Sequence, residues 1–161
     1  MASRACSTLL SILSMPRLRP AAMVIGAILV GLGLGIADAR EGRQLAGTVT
    51  HVRDGDTIEV NGVPIRLNGL HAPELREPGG CEARRWMIEH ARGQPVVCQL
   101  NGERTHDRHV GTCANRDGDL AAQLIAAGLG RDCPRYSRGR YAGLETAGAG
   151  RMALPRYCVG R

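Results

Sequence analysis

Small and β-branched residues alternate along residues 45–52, LAGTVTHV, the period-two pattern of a half-buried strand. Asp54-Gly55 is a turn signal, and the alternation resumes in DTIEV at residues 56–60. Asn61-Gly62 is the strongest hairpin signal in the chain and leads into VPIRLNGL, so a three-stranded meander is predicted. PELREPGG breaks the pattern with prolines and glycines. CEARRWMIEHAR then changes the period: Ala83, Trp86, Met87 and His90 fall on one helical face, with Gly93 as the stop. PVVCQL and HVGTCA read as two further strands, joined by a polar loop, NGERTHDR. DGDLAAQLIAAGLG reads as a helix capped by Asp117 or Asp119, with Leu120, Leu124 and Ile125 as its apolar stripe. RDCPRYSRG is predicted to be a loop, and RYAGLETAGAGRMAL a last helix interrupted by glycines.

The order is therefore three strands, helix, two strands, helix, helix. That is the order of a five-stranded OB-type β-barrel with three α-helices, an α+β fold. With one Trp, three Tyr and no Phe, its core has to be small and aliphatic. Disulfides would help to hold such a core.

Residues 1–39 are of another kind. Arg4, Arg17 and Arg19 precede an apolar, Gly-rich run ending in Ala-Asp-Ala, the layout of a secretory signal cleaved after Ala39. An uncleaved membrane anchor is the alternative. On either reading residues 40–161 form one domain outside the cytoplasm, secreted or periplasmic, or tethered facing outward. Five of the six cysteines belong to that domain, which in an exported protein suggests two disulfides and one odd residue. Cys98 and Cys113 lie in consecutive antiparallel strands, so their Cα atoms are predicted about 5.5–6 Å apart, within bridging distance. Cys133 and Cys158 would tie the C-terminal tail to the loop after the second helix, and Cys81 is the odd residue. Five cysteines allow other pairings. Zinc is the weaker reading, because no Cys-x-x-Cys pair occurs.

Without residues 1–39, 21 basic and 15 acidic residues become 18 and 14, and all the basic residues are arginine. From residue 131 onward seven arginines face only Asp132 and Glu145, so the C-terminal segment carries the whole excess. A basic segment suits a polyanion such as nucleic acid, though a solvated helix face has the same composition.

A second concentration of charge lies at strand ends. Asp54 and Asp56 flank the turn into the second strand, Arg66 sits between Ile65 and Leu67 and so faces away from them, Glu74 follows the third strand, and Arg108 precedes the fifth. If the meander curls, these groups meet on one face. Carboxylates suit a hard divalent cation, two guanidinium groups suit a phosphate, and together they form a kit for phosphodiester hydrolysis. Taken singly, Asp-Gly-Asp is a turn, and the arginines are rim charges.

The segments DGDT, IRLNGLHAPE, ERTHDRHVGTC and DGDLAAQLIAAGLGRDCPRYSRGRYAGLE, in that order over about residues 45–147, closely resemble the staphylococcal nuclease family of thermonuclease-like domains. The resemblance implies an OB-fold barrel with three helices and Ca²⁺-dependent cleavage of DNA and RNA. It implies that Asp56 binds the metal with Asp54 in support, and that Arg66 and Arg108 bind phosphate. Glu74 would act as general base or orient the attacking water. Two departures stand out. His71 occupies the place of an aspartate ligand, so Ca²⁺ is expected to bind weakly or to be replaced by another divalent metal. His-Asp-Arg at 106–108 replaces Tyr-Gly-Arg, so a tyrosine of the nucleotide pocket is missing. Nucleic acid is the expected substrate, no protein partner is expected, and the alternative function is a catalytically weakened OB-fold module that binds nucleic acid or another partner in the envelope.

Overall fold

A computed structural model describes residues 43–160; the segment read as an export signal or anchor, with its cleavage site, lies outside them. The hairpin signal forms as predicted. β1 (Gln44–Val52) and β2 (Thr57–Val60) pair antiparallel, and β2 turns through Asn61-Gly62 into β3 (Val63–Leu67). Both turn residues have positive φ, 48° and 80°, as a two-residue loop matching the strand twist demands. The Asn61 side chain accepts the Thr48 N–H, which locks the turn to β1.

After the short β4 (Leu70–His71), α1 runs Gly80–Ala91 and buries Ala83, Met87 and Ala91. Trp86 and His90, predicted on the same face, lie at its margin, stacked on each other at 4.0 Å. β5 (Pro95–Thr105) and β6 (Arg108–Asn115) form a long hairpin. The predicted polar loop 101–108 is thus mostly strand. Its residues bury no alternate face, because the hairpin projects beyond the core, and so no period-two pattern marks it. β7 (Gly118–Asp119) leads into α2 (Leu120–Ala126), capped by Asp119, whose Oδ1 accepts the Ala121 N–H at 2.8 Å.

The C-terminal part departs most from expectation. Residues read as loop form β8 (Arg131–Asp132) and α3 (Pro134–Ser137). The expected last helix is replaced by two 3-10 turns, Ala142–Leu144 and Ala149–Arg151, followed by α4 (Arg156–Val159). The glycines in that stretch favour turns, and tertiary contacts rather than helical periodicity hold it. Arg131 pairs with Glu145 at 3.2 Å and donates to the Met152 carbonyl at 2.8 Å.

Among the described residues the fold is α+β, with four α-helices against the three expected. The main sheet has six strands in the order β3-β2-β1-β5-β6-β7, and β4 pairs with β8 in a second sheet. All its neighbours are antiparallel, and an additional parallel pairing sets β3 beside β6, with Arg66 opposite Val110. The core is aliphatic, built around Ile58, Ile65, Leu67, Met87, Leu124 and Ile125.

The disulfides Cys98–Cys113 and Cys133–Cys158 form as expected, which fits an oxidising compartment, and Cys81 takes part in neither. Cys98 and Cys113 face each other in register, with Cα atoms 4.0 Å apart, closer than expected for a bridge in general. Among the described residues no helix is long and apolar enough to cross a membrane.

Candidate functional site

Arg66, on β3, turns away from the core as the alternation requires, while its neighbours Ile65 and Leu67 are buried. Its guanidinium forms an ion pair with Asp56 and donates to the Leu70 carbonyl at 3.1 Å. Burial pushes its pKa below the ordinary arginine value, Arg108 acts in the same direction, and Tyr157, Asp54 and Glu74 oppose them. Arginine stays protonated regardless. The charged groups singled out in the sequence are therefore within electrostatic reach of one guanidinium.

The parallel pairing of β3 with β6 brings Arg108, the first residue of β6, to the same side. Arg108 donates to the Thr57 hydroxyl at 2.9 Å, and that hydroxyl donates to Asp56 Oδ1 at 3.2 Å. Thr57 and Asp56 thus join the two arginines into one network. Thr57 is fully buried and was not singled out by charge, although it stands in the DGDT motif. Asp54 Oδ1 accepts the Asp56 N–H at 2.9 Å, so the Asp-Gly-Asp turn orients Asp56 by its own hydrogen bond.

Glu74 is exposed in a turn of its own. Glu77 Oε2 accepts the Glu74 N–H at 2.9 Å, and the Glu74 carbonyl accepts the Glu77 N–H at 2.8 Å. Gly80 completes the support, because a Cβ there would overlap the Glu74 carbonyl.

Arg66, Glu74 and Arg108 line one cleft of about 710 Å³, together with Arg104, Tyr136 and Tyr157. Asp56 and His71, 3% and 8% exposed, are buried and do not line it. Tyr136 comes from the segment read as loop, and Tyr157 from the tail beyond the expected last helix. Their place next to arginines, Arg135-Tyr136 and Arg156-Tyr157, in a chain so poor in aromatics was the available signal. The tyrosine missing from the approach to Arg108 is thus not the end of aromatic character at this cleft.

His71 packs edge-on to the Tyr157 ring at a centroid distance of 6.5 Å, and its Nδ1 is buried without a hydrogen-bond partner. Burial, helped by Arg66, lowers its pKa, while Glu77 and the Ala153 backbone pull the other way. Ca²⁺ asks for about six to eight oxygen ligands. Here Asp56 is engaged by Arg66, Thr57 and the Ala72 N–H, and the second expected ligand is an imidazole turned towards the C-terminal segment. Among the described residues no three His, Cys, Asp or Glu side chains are grouped to hold a metal. As arranged, these donors do not fit Ca²⁺. The cleft offers instead three guanidinium groups, those of Arg66, Arg104 and Arg108, suited to a phosphate, with the exposed Glu74 carboxylate beside them and two aromatic walls.

No family model matches the chain. Over 133 residues it is 34% identical to the succinoglycan biosynthesis protein ExoI of Rhizobium meliloti (strain 1021), a match covering 75% of this chain and 69% of that protein.

Proposed function

This chain belongs to the family of the succinoglycan biosynthesis protein ExoI, and we propose that it is an exported phosphodiesterase of staphylococcal nuclease type, hydrolysing DNA or RNA by attack of water. The observation that carries this reading is the meeting of Arg66, Glu74 and Arg108 on one cleft. The strand order supports it as well. β3-β2-β1-β5-β6 with a parallel return from β6 to β3 agrees with a five-stranded OB-type barrel, β7 being an added edge strand. Export is supported by the two disulfides together with the signal-like N-terminal sequence.

Arg66 and Arg108 hold the phosphate oxygens of a strand laid in the cleft and offset the charge that grows on them in the transition state. Glu74 orients a water and takes its proton as the water oxygen bonds to phosphorus. The opposite P–O ester bond breaks, and the leaving oxygen takes a proton from solvent. In the resembled family Ca²⁺ assists this attack, whereas in this chain Asp56 is closed off by Arg66.

The test is hydrolysis of single- and double-stranded DNA and of RNA, with and without EDTA, by the protein and by its Glu74→Gln variant. Expected is cleavage of at least one polymer that Glu74→Gln strongly reduces. No cleavage under any metal condition overturns the enzymatic reading.

One observation favours a second reading. Asp56 held by Arg66, with His71 in the place of a carboxylate, suits a catalytically weakened module that binds a polymer without cutting it. The name of the relative suggests a glycan as that polymer. Binding of an oligonucleotide or a glycan without turnover distinguishes this reading.

A further inference from the structure

The Cys133–Cys158 disulfide fastens α4 beside the cleft, and its neighbour Tyr157 forms part of the cleft wall. Both cysteines are buried, whereas Tyr157 is 46% exposed. The fastening continues into the turn between β3 and β4: the Cys133 N–H donates at 2.8 Å to the carbonyl of Gly69, two residues beyond β3. α4 has only four residues and cannot hold its own position by helical hydrogen bonding. Covalent attachment at Cys158 therefore decides where Tyr157 stands.

His71 meets the Tyr157 ring nearly perpendicularly, at an interplanar angle of 83°. Arg66 lines the same cleft. A large exposed aromatic next to a phosphate-binding pair is an arrangement that recognises a ring attached to a phosphate. Aromatic rings stack on nucleobases with little sequence preference, because every base has a π-face. Sugar–phosphate backbone alone offers no such surface.

We propose that Tyr157, set in place by the Cys133–Cys158 disulfide, is a base-stacking residue for the nucleotide whose phosphate Arg66 and Arg108 hold. This rests on the reading of the cleft as a nucleic-acid site. It also makes base binding, but not backbone binding, dependent on the oxidised state of that disulfide.

The experiment compares two fluorescent probes by anisotropy in EDTA: a short single-stranded thymidine oligonucleotide and an abasic deoxyribose-phosphate strand of equal length. Tyr157→Ala is expected to weaken the oligonucleotide roughly 5- to 150-fold, the span of base–aromatic stacking, and to leave the abasic strand unchanged. Tyr157→Phe keeps the affinity. The double variant Cys133→Ser/Cys158→Ser reproduces the Tyr157→Ala pattern. Circular dichroism identifies a loss that comes from unfolding, and the exposed Tyr157→Ala variant then decides alone. The double variant Arg66→Ala/Arg108→Ala loses both probes. If Tyr157→Ala affects neither probe, or both equally, while the arginine variant loses both, the stacking role is overturned and the phosphate site stands. If the wild-type protein binds neither probe, or the arginine variant binds as wild type, the nucleic-acid reading falls and the inference falls with it.

Discussion

Glu74 sits exposed in a turn held by Glu77 and Gly80, so its carboxylate can be altered without touching the core. Glu74→Gln is therefore expected to lower kcat about 10²-fold or more while the melting temperature stays within a few degrees. Arg108→Ala should cost a similar factor in steady-state nuclease assays, through lost stabilisation of charge on the phosphate. Wild-type turnover in either variant would move the chemistry elsewhere. His71 gives a sharper case. Calorimetry is expected to find Ca²⁺ affinity no tighter than about 10⁻³ M, the weak end of the range for calcium sites. His71→Asp restores a carboxylate at this position, but Asp56 remains engaged by Arg66. A large gain in both Ca²⁺ affinity and nuclease rate in that variant would show that imidazole had replaced a working ligand. No change would show that His71 serves the packing of the C-terminal segment.

At the scale of elements, the joint between α2 and the C-terminal segment is one carboxylate. Asp119 caps α2 through Oδ1 and accepts the Tyr141 hydroxyl through Oδ2 at 2.7 Å. Tyr141 is 2% exposed, and burial together with this hydrogen bond pushes its pKa above the ordinary value. Asp119→Ala removes the cap and the acceptor of the Tyr141 hydroxyl, which keeps only the Arg140 guanidinium donating to it at 3.4 Å, for a loss of about 2–3 kcal/mol in urea unfolding. Tyr141→Phe keeps the cap and is expected to cost only about 1 kcal/mol. Equal losses would mean that the hydrogen bond, not the cap, holds the joint. The β5–β6 hairpin is held by Cys98–Cys113, whose residues are separated by 15 positions. Replacing both by Ala should cost about 3 kcal/mol, since a loop of that length is closed in the unfolded chain as well. A loss well under 1 kcal/mol would show that the sheet ladder alone sets the hairpin.

For the whole molecule, the signal-like segment predicts that exported protein begins at Arg40, which N-terminal sequencing of material outside the cytoplasm checks; a retained Met1 would favour the anchor. Within the described residues, the local code was legible wherever a period or a turn residue acted over short range. Alternation marked β1, β2 and β3, Asn61-Gly62 marked their hairpin, and helical spacing marked α1 and α2, because each of these buries one face against the core. The same alternation placed Arg66 off the core, and the motifs around it named Asp56, Glu74 and Arg108 before any contact was visible. Long-range pairings were not legible. Opposed strands pointed to Cys98–Cys113, but β4 with β8, the parallel contact of β3 with β6, and the turns of residues 142–151 carry no periodic pattern. Amino-acid order specifies which side chains a segment can bury. Only the three-dimensional path of the chain decides which distant groups become neighbours. Asp56 therefore meets Arg66, His71 turns to the C-terminal segment, and Tyr157, far away in sequence, arrives at the cleft on a disulfide.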